Sequence, residues 1–288
     1  MRRDLLLFAL AAATACTEPP GPTPEPPAPP SVVSAAPVAA VSAPRAPEIA
    51  PAQPTACGAD MVLVEGRFCP AADERCEAYD PEYVRNPDAS ERCLKFTAPT
   101  TCASSKRRLM RFCVDRYEWP NREGERPAVL ADFHDARAAC EGAGKRLCDE
   151  NEWLFACEGE EMRPYVNGYE RDRTACVIDK PYIPRPHVLD RWDACMGSPE
   201  CATAFAHVDQ REPSGSSPRC ISPFGAYDMN GNVNEWVNLP GEPYPHRAGL
   251  KGGWWGPVRN RCRPTVRFHD ESDYGYEIGF RCCSDARP

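Results

Sequence analysis

Seventeen cysteines in a chain of 288 residues constrain the fold more than any other feature. Cys16 ends a short leader segment, and the sixteen that remain, from Cys57 to Cys283, are an even number. In an oxidising compartment such a set predicts up to eight disulfides. The adjacent Cys282 and Cys283 are expected to have different partners, because a vicinal disulfide is rare and strained.

The cysteine and histidine spacing also excludes several classes of site. No CxxC pair occurs, and the five histidines are scattered along the chain. Zinc ribbons, c-type haem attachment and thioredoxin-like redox pairs all need such a pair. The cysteines are therefore interpreted as structural.

The first residues predict export. Arg2 and Arg3 precede an apolar run over residues 5–13, which is too short to span a bilayer comfortably and is typical of a signal peptide. Small residues before Cys16 resemble the lipobox of bacterial lipoproteins. We therefore expect a signal peptide over residues 1–15, lipidation of Cys16 and attachment to a membrane in the cell envelope. Thr17 favours the outer membrane, with the domain facing the periplasm or the exterior.

A proline-rich segment follows the predicted anchor. Residues 17–56 hold thirteen prolines and no aromatic residue. Such a segment cannot offset its chain entropy by burial, and it favours extended polyproline II conformations. Residues 16–56 are therefore predicted to be the lipidated cysteine and a disordered linker.

The rest of the chain is long enough for one folded domain. We divide it into a cysteine-rich N-terminal part, residues 57–110, and a core, residues 111–288. The formal net charge is −8 and the pI is about 5.3, without a basic run interleaved with aromatics, so nucleic acid is not an expected partner.

Local patterns predict short elements separated by loops. Strands are expected at residues 61–64 and 111–115, and helices at residues 133–141 and 150–157. Asp149 and Glu152 form a capping pair for the second helix, which should end at Gly159. The pattern is typical of a loop-dominated α+β fold held together by multiple disulfides.

Five blocks carry a family resemblance. They read FCVDRYE at 112–118, GKRLCDENEW at 144–153, FGAYDMNGNVNEW at 224–236, LKGGWW at 250–255 and IGFRC at 278–282. Their residues and order resemble the sulfatase-modifying-factor domain of formylglycine-generating enzymes. The resemblance implies a C-type-lectin-like core with little regular secondary structure.

The resemblance also implies a calcium site. Carried over by position, Asp228 and Glu235 would supply carboxylate oxygens, and Gly231 and Val233 would supply backbone carbonyls. Calcium takes six to eight oxygen ligands, so the donors are of the right kind. The alternative is that the two acids only cap and solvate a turn. Asn234 stands where the family has Trp, so the local surface should differ.

Catalysis in the family uses two closely spaced cysteines that bind copper. The matching stretch, residues 257–267, holds only Cys262. Cys262 is thus the sole catalytic candidate, and no catalytic residue is assigned. Copper is expected only if the protein is catalytic. The simpler interpretation is that Cys262 is half of a structural disulfide.

Four arginines surround that cysteine: Arg259, Arg261, Arg263 and Arg267. They could line a groove for carboxylate, phosphate or sulfate through forked hydrogen bonds. Alternatively, they pair with Asp270, Glu271, Asp273 and other surface carboxylates.

Three functions of different classes remain open. The first is a non-catalytic binding or structural module, tethered at the envelope, that presents loops to a protein, peptide or glycan. The second is a formylglycine-generating-type oxidoreductase that uses oxygen and a metal on a protein cysteine. The third is an accessory protein that needs a partner for activity.

Overall fold

The structure, a computed structural model, describes residues 56–85 and 91–288. The predicted signal peptide, the lipidation site Cys16 and the linker as far as residue 55 lie outside the described residues. Within the part that is described, no helix has both the length and the apolar character needed to cross a bilayer.

Short strands and helices alternate with long loops along the described chain. The strands are β1 Met61–Phe68, β2 Ala72–Asp73, β3 Cys76–Tyr79, β4 Cys93–Phe96, β5 Thr101–Cys102, β6 Arg108–Asp115, β7 Arg146–Leu147, β8 Asn234–Asn238, β9 Ala248–Lys251, β10 Ile278–Phe280 and β11 Cys282–Asp285. The helices are α1 Pro81–Arg85, α2 Phe133–Gly142, α3 Glu150–Glu158, α4 Trp192–Cys195 and α5 Pro199–Val208, with a 3-10 turn at His187–Arg191 before α4.

Two sheets organise these strands. One has the order β1-β6-β11-β7, and the other has the order β10-β8-β9. In the first, antiparallel pairing places Val62 opposite Val114 and Val64 opposite Phe112, so one face of each strand is buried. Two small pairs, β2-β5 and β3-β4, lie in the cysteine-rich N-terminal part.

Helix α3 is the centre of the main core. The Asp149 N–H donates to Glu152 Oε2 at 3.0 Å, which confirms the predicted capping pair. Gly159 has a φ of +68° and ends the helix, where a Cβ would lie 2.7 Å from the Pro223 ring. Trp153 and Phe155 are completely buried in the helix between these ends. Both predicted helices and both predicted strands are present.

Eight disulfides join all sixteen cysteines of the described residues. The pairs are Cys57–Cys113, Cys69–Cys102, Cys76–Cys93, Cys140–Cys282, Cys148–Cys283, Cys157–Cys262, Cys176–Cys220 and Cys195–Cys201. The prediction of eight bridges is confirmed, as are the separate partners of Cys282 and Cys283. Successive residues of strand β11 point to opposite faces, so one cysteine reaches helix α2 and the next reaches Cys148 beside α3.

Candidate functional site

The site is built on the loop between β9 and the C-terminal strands. Leu250 and Val266 exchange backbone hydrogen bonds of 3.0 and 2.9 Å, which closes residues 251–265 into an excursion. Gly252 and Gly253 start it with φ values of +80° and +74°. A Cβ on Gly253 would lie 2.7 Å from Asn260 Nδ2, so the chain can fold back here only as glycine. The double turn buries Trp255 and leaves Trp254 half-buried at the loop surface.

Arg171 fixes the far side of this loop. Its guanidinium donates to Asn260 Oδ1 at 2.7 Å and to the Val258 carbonyl at 3.0 Å, and it is also paired with Asp179 at 2.8 Å. Because a buried ion pair holds the arginine, the loop is shaped before any ligand arrives.

Cys262, the catalytic candidate, is bridged to Cys157 of helix α3 and is completely buried. A thiolate is the form of cysteine that binds copper or attacks a substrate. A sulfur atom in a disulfide does neither. The loop therefore presents no thiol in this structure, as the structural interpretation of Cys262 predicts.

Three of the four arginines around Cys262 are held by carboxylates of the protein. Arg261 contacts Glu74 at 2.6 Å and Glu91 at 2.9 Å, and its guanidinium stacks over Phe96. Arg263 donates to Glu158 Oε1 at 2.6 Å, and Arg267 donates to Glu150 Oε2 at 2.7 Å.

Arg261 and Arg263 are therefore turned towards the protein, and the half-exposed Arg267 is paired with Glu150, so the three arginines do not line one anion groove. The acids that hold them come from distant parts of the chain and not from the neighbouring acidic run, in which Glu271 is paired with Arg247. The sequence could not predict these ion pairs, because Glu74 lies more than 180 residues from Arg261.

A cavity of about 200 Å³ opens beside the loop. Its wall is lined by Asn234, Leu250, Gly252, Gly253, Trp254, Val258, Arg259, Pro264, Val266, Phe268, His269 and Glu277. Arg259 is the one member of the arginine set on this wall. Phe268, which is 78% exposed, stands at the cavity.

Two polar side chains on the cavity wall, those of Arg259 and Asn234, make no hydrogen bond or ion pair with the other described residues. The Glu277 carboxyl group accepts from its own backbone N–H and lies near Arg185, while its buried Oε2 has no hydrogen-bond partner. Burial raises the pKa of Glu277 above its ordinary value. Polar groups left unsatisfied around one concave space are typical of a binding site.

The predicted calcium residues lie behind this cavity, in a buried cluster of charges. Glu235 accepts from Arg281 Nη2 and Nε, each at 2.6 Å, and from Trp153 Nε1 at 2.6 Å. Asp228 Oδ2 accepts from the Gly215 N–H at 2.7 Å. Glu118, which sequence reasoning did not assign, joins the two acids here and is completely buried.

The cluster carries more negative than positive charge. Three carboxylates, Glu118, Asp228 and Glu235, face one guanidinium, that of Arg281, so full ionisation leaves a net charge of −2. Burial raises the pKa of Asp228 to about 6. Burial, with the charges of Asp228 and Glu235, raises the pKa of Glu118 well above its ordinary value.

The charge and the oxygen donors of these residues suit a divalent cation, but both oxygens of Glu235 already accept from Arg281 and Trp153. Glu118 Oε1 is buried without a hydrogen-bond partner, which leaves one carboxylate oxygen free for an ion. In the described residues, no three Asp, Glu, His or Cys side chains converge as a metal site by themselves. Backbone carbonyls from Gly231 and Val233 would be needed as well, as the resemblance implies.

Gly231 is required where the predicted calcium loop turns. Its φ is +83°, and a Cβ there would lie 2.2 Å from the Val177 carbonyl oxygen. Val233 is buried next to it. The loop is therefore fixed by packing, whether or not an ion is bound.

Two sequence blocks already contained the residues that were missed. Glu118 ends the FCVDRYE block, and Arg281 lies in the IGFRC block. The signal that could have identified them is a charged residue in an apolar stretch of sequence. Such a residue is almost never fully buried unless it is paired, so Glu118 and Arg281 could have been predicted to have partners.

Comparisons with known proteins agree with this architecture. A family model described as a sulfatase-modifying factor enzyme 1-like domain matches residues 58–286. Inactive C-alpha-formylglycine-generating enzyme 2 of Bos taurus is 30% identical over 177 residues, which cover 56% of this chain and 51% of that protein. The formylglycine-generating enzyme of Bos taurus is 26% identical over 186 residues, covering 57% and 45%.

The chain thus spans about half the length of the curated relatives it matches. Among solved structures, CarF superimposes with a TM-score of 0.51 at 13% identity, covering 81% of this chain and 99% of that one. This likeness concerns the fold alone, and it agrees with the loop-rich α+β fold with multiple disulfides that the sequence predicted. With the family model matched over nearly all of the described residues, the chain belongs to the sulfatase-modifying-factor (formylglycine-generating enzyme-like) family.

Proposed function

We propose that this protein is a non-catalytic binding module of the formylglycine-generating enzyme-like family, carried on an exported, lipid-anchored chain. The observation that carries the proposal is the Cys157–Cys262 disulfide. It occupies the single cysteine of the loop in which the family's copper cysteines lie. The name of the relative from Bos taurus, an inactive formylglycine-generating enzyme, supports the same conclusion.

An assay of free thiols and bound copper tests whether the protein lacks the copper-dependent cysteine chemistry of the family. Purified, non-reduced protein should show no reactive thiol in denaturant and should bind no Cu(I) with thiolate-level affinity. A mildly reduced sample of the same protein, which exposes thiols, is the positive control. One or two free thiols together with bound copper would support the alternative, an oxygen- and metal-dependent oxidoreductase that acts on a protein cysteine.

The anchor at Cys16 is part of the same proposal. The apolar leader, the cysteine that follows it and the proline-rich spacer support it. Full-length protein expressed in a bacterial host should incorporate a labelled fatty acid, and Cys16→Ser should abolish incorporation. Label that persists in Cys16→Ser would contradict lipidation at this residue. Fractionation of the two membranes then tests outer-membrane delivery.

Calcium is proposed as a structural ion and not as a catalytic one. Asp228, Glu235 and the carbonyls of Gly231 and Val233 would hold it, with Glu118 beside them. The buried excess of negative charge supports this assignment, because a divalent cation would neutralise it. The ion would keep three carboxylates charged in the core behind the cavity.

A further inference from the structure

The wall of the cavity beside Trp254 combines polar groups from the sheet and from the loop with apolar side chains. Asn234 and Glu277 stand together on one wall, because the Asn234 N–H donates to the Glu277 carbonyl at 2.8 Å, next to the parallel pairing of β8 with β10. Arg259 comes from the loop that forms another part of the wall. A ligand placed in the cavity thus meets a carboxyl group and an amide from the sheet and a guanidinium from the loop.

The remaining wall is apolar. Leu250, Pro264 and Val266 line it, together with the rings of Trp254 and Phe268. Trp254 is held edge-to-face against the buried Trp255, with ring centroids 5.3 Å apart. The position of Trp254 is therefore fixed by packing, and an apolar side chain placed on this wall is removed from water.

The cavity volume limits the size of the occupant. At about 200 Å³ it is smaller than the roughly 300–1,000 Å³ that drug-sized ligands need. One amino-acid residue or a fragment of similar size can enter it. A longer ligand would have to place one end inside and the rest outside.

We propose that this cavity captures the C-terminal residue of a peptide or protein chain, with an apolar side chain at that residue. The unpaired Arg259 guanidinium receives the terminal carboxylate through a forked, charge-assisted hydrogen bond. The Asn234 side-chain amide faces the preceding amide N–H and carbonyl, with the Glu277 carboxyl group beside it on the wall. The side chain lies on the apolar wall. Capture of a chain end in this way is a known mode of peptide recognition.

The chemistry of the wall favours a chain end over an internal segment. An internal extended peptide offers no anion for the unpaired Arg259. An acidic side chain offers a carboxylate, but it leaves the apolar wall without an occupant. A C-terminal leucine satisfies the Arg259 guanidinium, the Asn234 amide and the apolar wall together.

The inference deepens the binding function proposed above and can fail separately from it. The probes are acetyl-alanyl-leucine, its C-terminal amide, and acetyl-alanyl-glutamic acid amide, titrated calorimetrically into the oxidised, folded protein. We expect the leucine acid to bind at least tenfold more tightly than either amide. Equal affinity for the leucine acid and its amide, tighter binding of the glutamate peptide, or no binding of any probe would each overturn the inference.

Variants locate the binding. Arg259→Gln should weaken binding of the leucine acid at least tenfold and remove its advantage over the amide. Asn234→Trp, which places a large ring on the cavity wall, should abolish binding. Arg267→Gln is the matched control, because this arginine lies two residues after the loop, is held by Glu150 and does not line the cavity. The affinity of this variant for the leucine acid should equal that of the wild type.

The wild-type comparison of acid with amide needs no variant, so it decides the inference even if a substitution impairs folding. Unchanged binding in a folded Arg259→Gln protein would also refute it. The thiol and copper assay is independent of these titrations. If the protein has no free thiol and does not bind the leucine acid, the C-terminal capture is refuted and the non-catalytic function still stands.

Discussion

The Arg281 guanidinium contacts the Glu235 carboxylate through two hydrogen bonds of 2.6 Å, and the two side chains are 0% and 1% exposed. This pair connects the C-terminal strand region to β8, directly behind the cavity. It also holds the only positive charge in the cluster that contains Glu118 and Asp228 among the described residues.

Arg281→Met should lower the free energy of unfolding by about 3–5 kcal/mol, because it leaves an uncompensated carboxylate in the core. Denaturant titrations in chelator measure this without a contribution from calcium. Arg267→Met is the control: its ion pair with Glu150 is half-exposed, and its loss should cost less than about 1 kcal/mol. A loss at Arg281 as small as that at Arg267 would show that the buried pair contributes little.

Replacing Cys157 and Cys262 together by serine should destabilise the domain more than replacing Cys195 and Cys201. The first bridge spans 105 residues and the second spans 6. The loop-entropy model gives roughly 5 and roughly 2 kcal/mol, respectively. Thermal unfolding of the two double variants checks the order. A larger loss from the short bridge would show that loop entropy does not dominate here.

Calcium should raise the melting temperature of the wild type and not that of Asp228→Asn. A site at ten times its dissociation constant adds about 1.4 kcal/mol to the free energy of unfolding. In chelator, Asp228→Asn should be no less stable than the wild type, since it removes one charge from a buried excess. Equal calcium responses in the two proteins would exclude Asp228 as a ligand, and magnesium at the same concentration controls for ionic strength.

Glu158 should make the domain less stable as the pH rises. Burial raises its pKa from 4.5 to about 8, so its contribution is complete below pH 4.5 and is lost as the pH rises through 8. One such group changes the free energy of unfolding by at most about 1.4 kcal/mol per pH unit. Glu158→Gln should therefore show a flatter dependence than the wild type between pH 5 and 7.

Lys251 sets the upper limit of that pH window. Burial lowers its pKa from 10.5 to about 7, so the unfolded chain binds more protons above pH 7 and the stability contribution rises with pH there. Measurements of the free energy of unfolding below pH 7 therefore report the contribution of Glu158 without that of Lys251. Glu125→Gln, a change at an exposed side chain, should keep the wild-type slope, and a slope unchanged in Glu158→Gln would contradict the assignment.

Local sequence signals predicted the helices and strands well, but they predicted poorly which distant residues come into contact. The helix of residues 150–158 was predictable because Asp149, Glu152 and Gly159 act within one or two turns of the chain. The family blocks likewise placed Asp228 and Glu235 together. The cavity was not predictable, because its walls come from three separated stretches around Asn234, Arg259 and Glu277.

The amino-acid sequence alone determined that sixteen cysteines would form an even, fully paired set and that Cys282 and Cys283 would have different partners, since parity is arithmetic and the strain of a vicinal disulfide is a local property. Only the tertiary structure decided that Cys262 joins Cys157, and that Arg261, Arg263 and Arg267 face distant carboxylates while Arg259 does not. The physical reason is that a disulfide or an ion pair depends on the approach of two side chains in space. For residues a hundred positions apart, that approach is set by the packing of the whole domain and not by any neighbouring residue.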